Sequence, residues 1–122
     1  MRYVLMNYVD PEDAAAYYAL SPEEQQADVE RHIAWFGKHR DHIVGGEELD
    51  EPATVKTLRP GPQAEGLVVT DGPYVETKEL LGGFVILETE SLEAAIAIAS
   101  DWPSLATQPN ATVQLHPVFV RE

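Results

Sequence analysis

The chain has no cysteine, few basic residues and no long apolar run, and each shortage removes a class of function. Without cysteine there is no disulfide framework, no thiolate metal site and no cysteine nucleophile. Eight Lys and Arg stand against 21 Asp and Glu, a formal charge of −13 on 122 residues. Such a field repels phosphate backbones and anionic headgroups, so neither nucleic acid nor a membrane is expected as partner. No segment approaches the roughly 18 consecutive apolar residues of a spanning helix. The opening "MRYVLMNYV" is apolar over a strand's length only and carries no cleavage-site pattern, so a soluble, cytoplasmic protein is the expectation. "GGEEL" and "LGGF" lack the spacing of a P-loop or dinucleotide fingerprint. No nucleophile elbow surrounds Ser21, Ser91 or Ser104, which read as helix caps or loop residues.

What is present fits one domain spanning residues 1–122, with 44% apolar residues and length enough to bury a core without staples. "RYVLMNYV" reads as a strand with apolar side chains on both faces, ended by Asp10-Pro11. "EDAAAYYAL" suggests a short helix. "SPEE" opens a stronger one, with Ser21 as N-cap, Pro22 at the first helical position, and Glu23 and Glu24 at the positive end of the dipole. The pattern predicts that this helix runs to about Val44 and stops at Gly45-Gly46. On it Val29, Ile33, Phe36, Ile43 and Val44 form a stripe at roughly 100° per residue, expected to be core, with Trp35 to one side and Arg40 near its centre. A charge there must be paired or snorkelled.

"ATVKTLRP" and "LVVT" suggest a hairpin, and Asp71-Gly72-Pro73 a turn leading to a strand over Gly83 to Glu88. Ser91 caps "LEAAIAIAS". The last strand, "ATVQLHPVFV", contains Pro117, which cannot donate to a ladder and marks an edge or a bulge. The order β-α-β-β-β-α-β gives an α+β ferredoxin-like sandwich with an added β-hairpin. Two helices cover one face of such a sheet. Its other face is also apolar, so a second copy is the economical cover and a homodimer is expected.

Four histidines are the first candidates for chemistry: His32, His39, His42 and His116. His39 and His42 lack a third ligand at matching helical spacing, so no metal is expected, and both should face solvent. His32 flanks the stripe beside Val29, Ile33 and Phe36. There it is either a satisfied boundary histidine or a general acid/base, with Asp101 or Asp71 as the carboxylate that could orient it. Spacing does not choose between the two carboxylates.

"TDGPYVETKELLGGFVILE" resembles the signature of the DGPF group of YCII-related proteins, with Tyr74 where the group usually has Phe. "RYVLMNY", "LSPEEQQADVERHIAWF", "VGGEELDEPATVKTLR" and "TVQLHPV" extend the resemblance over nearly the whole chain, with His116 where an arginine is usual. The resemblance implies a dimeric α+β barrel with a pocket near the first long helix, and it maps the family's suggested histidine–aspartate pair to His32 and Asp101. It also makes the excursion after Asp71 a rim over that pocket, with Tyr74, Glu76 and Lys78, and Arg40 from the helix, as substrate-binding candidates. Two functions follow. One is a cofactor-independent acid–base enzyme of lyase, isomerase or hydrolase type, acting on a small cyclic or aromatic metabolite. The other is a non-catalytic dimeric ligand-binding or regulatory module associated with an extracytoplasmic-function sigma factor.

Overall fold

Strand β1 (Arg2–Val9) sends Tyr3 and Leu5 into the interior and turns Val4, Met6 and Tyr8 to the other face. This alternation is the direct consequence of the two-residue period of a strand. In the computed structural model, which describes residues 1–73 and 79–121, β1 is a central strand of an antiparallel sheet ordered β2-β5-β1-β6. The other members are β2 (Ile43–Glu48), β5 (Leu80–Glu88) and β6 (Thr112–Pro117). Helices α1 (Pro11–Tyr18), α2 (Pro22–Lys38), α3 (Leu92–Ser100) and α4 (Ser104–Thr107) complete the layer above it. This is a ferredoxin-like α+β fold. Strands β3 (Lys56–Pro60) and β4 (Leu67–Asp71) form a separate two-stranded ribbon inserted between β2 and β5.

The helix starts are written locally. Ser21 accepts from the Glu24 amide at 3.2 Å, Pro22 takes the first helical position, and Ser91 accepts from the Ala94 amide at 3.1 Å. Asp10 caps the short helix α1 by accepting from the Glu12 amide at 2.8 Å. Pro117 closes β6, an edge strand where its missing N–H costs no ladder bond.

Three expectations are corrected. The helix from Ser21 ends at Lys38 rather than near Val44; Arg40–His42 form one 3₁₀ turn and the chain enters β2 at Ile43. Gly45 and Gly46 therefore lie inside a strand. Gly46 has φ of 147°, and a Cβ there would sit 2.5 Å from the Phe84 carbonyl, so glycine is what lets β2 lie against β5. Consequently four strands, not three, lie between α2 and α3 among the described residues, and the ribbon is additional to the four-stranded sheet.

The second correction concerns the apolar stripe. Ile33 is 63% exposed and Val29 and Phe36 are also exposed, whereas Trp35 is 3% exposed and belongs to the core with Leu5, Val85, Leu87, Ile98, Ala99 and Trp102. The helix is rotated toward α3 because Trp35 meets Trp102 edge to face at 4.8 Å and its indole N–H donates to the Ile98 carbonyl at 3.1 Å. A large aromatic with a satisfied polar atom outweighs three smaller side chains in deciding which side of α2 is inward. Burying an aliphatic side chain such as Leu5 or Leu87 contributes about 2 kcal/mol each.

The third correction is Arg40. It stands on the 3₁₀ turn, exposed, and no ion pair to it occurs among the described residues. With the helix finished at Lys38, it is neither on the stripe nor over apolar surface that α2 presents.

Candidate functional site

Rotating α2 toward α3 leaves its Val29, Ile33 and Phe36 side standing away from the sheet, and the space between is a cleft of about 940 Å³. Its floor comes from β1, β2 and β5, and Gly45, Gly46, Gly82 and Gly83 keep that floor low. A Cβ on Gly82 would meet the Val9 side chain at 2.7 Å and one on Gly83 the Glu47 carbonyl at 3.0 Å, so glycine is what lets the neighbouring strands lie this close. Tyr17 and Tyr18 of α1 close one side, and Trp102 and Ser104 close the end nearest the core.

His32 lines this cleft, with its side chain 24% exposed. Its Nδ1 lies 2.8 Å from the backbone carbonyl of Asp28, one helical turn earlier. A carbonyl oxygen only accepts, so Nδ1 carries the proton and Nε2 keeps its lone pair. Nε2 lies 3.4 Å from the hydroxyl of Ser104, which is buried. The Asp28 carboxylate stands 3.5 Å from Nδ1, in place to balance the charge when the ring takes a second proton. The ring packs edge to face on Trp102 at 5.1 Å, and the Trp102 indole N–H is buried with no partner among the described residues.

The carboxylate beside His32 is thus Asp28, a residue that sequence reasoning passed over. Its signal was available: Asp28 and His32 are four apart on a helix and share a face. Ser104 was read as a cap or loop residue, but it meets His32 across 72 positions, a proximity no local pattern encodes.

The two carboxylates proposed for that role are elsewhere. Asp101 does not line the cleft and sits at the outer end of α2, accepting from His39 Nε2 at 2.9 Å, Lys38 Nζ at 2.7 Å and the Trp35 indole at 3.1 Å. Partial burial is the strongest single influence on its carboxyl and acts upward. The hydrogen bonds from Lys38 and His39 together exceed it and hold the carboxyl below the usual aspartate range. His39 is consequently nearly buried rather than solvent-facing, while His42 is exposed with Nδ1 3.2 Å from the Glu88 carbonyl. Asp71 is exposed at the end of β4, paired with Lys56 across the ribbon. Arg40 does not line the cleft. Tyr74, Glu76 and Lys78 lie outside the described residues. His116 is exposed on β6 with Nε2 2.9 Å from the Gln114 side-chain oxygen.

Among the described residues no three His, Asp or Glu side chains are grouped to hold a metal ion, and no helix is long and apolar enough to cross a membrane. What the cleft offers is one imidazole with a free lone pair, a hydroxyl beside it, a carboxylate behind it, and aromatic walls. That set can take a proton from a bound molecule and return it elsewhere.

Comparison with known proteins matches this architecture. A solved structure of 5-chloro-2-hydroxyhydroquinone dehydrochlorinase (TftG) from Burkholderia phenoliruptrix AC1100, in complex with 2,5-dihydroxybenzoquinone, is 16% identical with a TM-score of 0.50. The similarity covers 93% of this chain and 91% of that one, and at this identity it is a likeness of fold. Comparison with curated proteins finds no match. The model of the YCII-related domain matches residues 1–118, and the chain belongs to the YCII-related domain family.

Proposed function

We propose that the cleft is the active site of a small-molecule enzyme in which His32 transfers protons without help from a cofactor. The observation that carries this reading is the bond from His32 Nδ1–H to the Asp28 carbonyl, which leaves Nε2 as a base facing the cleft. A bound molecule with an acidic C–H or O–H next to Nε2 loses its proton to that nitrogen. The imidazolium that forms is then stabilised by the Asp28 carboxylate, and the Ser104 hydroxyl accepts from the new Nε2–H and donates its own O–H to the nascent anion or passes the proton on. The cleft's volume suits a molecule of one or two rings. That the fold is shared with an enzyme of a chlorinated hydroquinone supports small cyclic compounds as the first substrates to try. Tyr74, Glu76 and Lys78 stay candidates for ligand contact, because Gly82 and Gly83 just beyond them line the cleft.

The same reading makes the protein a cytoplasmic homodimer. Val4, Met6, Tyr8, Phe84 and Ile86 alternate with the buried residues of β1 and β5 and form an apolar sheet face that no helix covers among the described residues. Sedimentation at micromolar concentration checks it, with a compact monomer as the contrary result.

The test of the catalytic proposal is turnover of hydroxylated and halogenated ring compounds, followed by ultraviolet absorbance. His32→Gln should lower it by about 10²-fold or more, and Asp28→Asn by roughly tenfold, because the first removes the base and the second only its counter-charge. Turnover unchanged in His32→Gln defeats the assignment. A second reading, a ligand-binding module, is favoured by Ser104 already standing against Nε2. It predicts ligand affinity without turnover in the wild-type protein.

A further inference from the structure

The cleft's charged wall is one-sided. Asp28 of α2, Glu47 and Glu48 of β2, and Asp50 and Glu51 just after it line the space, and no Lys or Arg does so among the described residues. These carboxylates share the space with aromatic residues, among them Tyr17, Tyr18, Phe36 and Trp102. Aromatic faces present negative charge and attract cations, so both kinds of group act in the same direction. We propose that the cleft selects small aromatic ligands carrying a positive charge, and rejects carboxylates and phosphates of the same shape. The proposal rests on the cleft being the ligand site.

Two observations bear on it, and Trp102, nine-tenths buried at the cleft's inner end, places a ring there whose indole N–H can report on a ligand. The Tyr17 phenol holds its proton more tightly than usual, first because of burial and then because of the nearby charges of Asp28, Tyr18 and Glu48, so it already senses a negative field in this wall. Finally, the four charged groups after Gly46 are all acidic and exposed at the rim, where they meet a ligand as it enters. An anionic ring would bring a sixth negative charge into that space, where no Lys or Arg among the described residues lines the wall to receive it. Five carboxylates at about 8 Å in water-like surroundings, screened by ~0.1 M salt, give on the order of tenfold between a cation and an anion of equal size.

The experiment compares benzylamine, benzyl alcohol and benzoate as probes at pH 7, followed by the Trp102 indole N–H resonance in the full chain. The expected order of affinity is benzylamine, then benzyl alcohol, then benzoate, with about tenfold between the first and last at ~0.1 M salt. The gap should shrink severalfold in Glu47→Gln/Glu48→Gln and in about 0.5 M salt, while benzyl alcohol is unaffected by either change. Benzoate binding as tightly as benzylamine, or a gap that survives both changes, overturns the charge selection and leaves the cleft as a ligand site. Failure of all three probes to move the Trp102 resonance overturns both.

Discussion

Helix α2 carries His32, and His39 caps its end seven residues later, in surroundings of a different kind. At His39, Nε2 bonds the Asp101 carboxylate, which also takes Lys38 and the Trp35 indole, and Trp35 packs against the imidazole at 5.1 Å. At His32 one nitrogen is fixed by a backbone carbonyl and the other faces a cleft with only a long contact to Ser104. The first arrangement locks α2 to α3. The second spends one hydrogen bond on orientation and leaves the other nitrogen with a long contact only. A histidine tied to a carboxylate that other side chains share holds two elements together, whereas one that lines a cleft with a weakly engaged nitrogen is where a ligand contact is to be looked for.

Removing what the two sites share should have the largest effect. Trp35→Ala takes away the ring that contacts Phe36, His39 and Trp102, and we expect a loss of about 3–5 kcal/mol in urea unfolding. Opening the closed site alone is milder. Asp101→Asn keeps an acceptor for Trp35 but loses the charge that Lys38 and His39 meet, for about 1 kcal/mol at pH 7.

Its pH dependence sharpens the contrast. The folded carboxyl titrates below its unfolded value, so its stabilisation is fully present above the ordinary aspartate pKa of about 3.9 and is lost as pH falls through the lower folded value. The difference between wild type and Asp101→Asn should therefore vanish in strong acid. A difference that persists there would mean the carboxylate's charge is not what matters. Turnover and probe binding should be unchanged by Asp101→Asn, because the residue does not line the cleft. Smallest of all, Arg40→Ala should stay within about 0.5 kcal/mol in the same unfolding assay, the residue being exposed and beyond the end of α2.

Local signals carried the ends of the elements. Ser21 with Pro22, Ser91, and Pro117 each state their role within a few residues, and the family signature agrees with the ferredoxin-like sheet that results. The strand Ile43–Glu48 was hidden because two glycines and two glutamates look like a helix stop followed by a polar loop. Only the close approach to β5 explains why glycine suits a strand there. The inward side of α2 was misjudged for a related reason. A moment summed over Val29, Ile33 and Phe36 treats apolar area as if it must be buried, and a cleft is the one place where it need not be. The catalytic candidate His32 was legible from its position on the helix. Its partners were not equally so: Asp28 is encoded by helical spacing, whereas Ser104 arrives only through tertiary packing.

The buried carboxylate of Asp13 gives the cleft a history as well as a shape. It accepts from the backbone amide of Asn110 at 3.0 Å and from its side chain at 3.2 Å, pinning α1 to the loop that leads into β6. An eight-residue helix has little stability of its own, since isolated helices under about 12 residues are marginal in water. During synthesis α1 therefore emerges almost first and must wait for nearly the whole chain before its anchor appears. The side of the cleft formed by Tyr17 and Tyr18 gains this anchor only once Asn110 has been made.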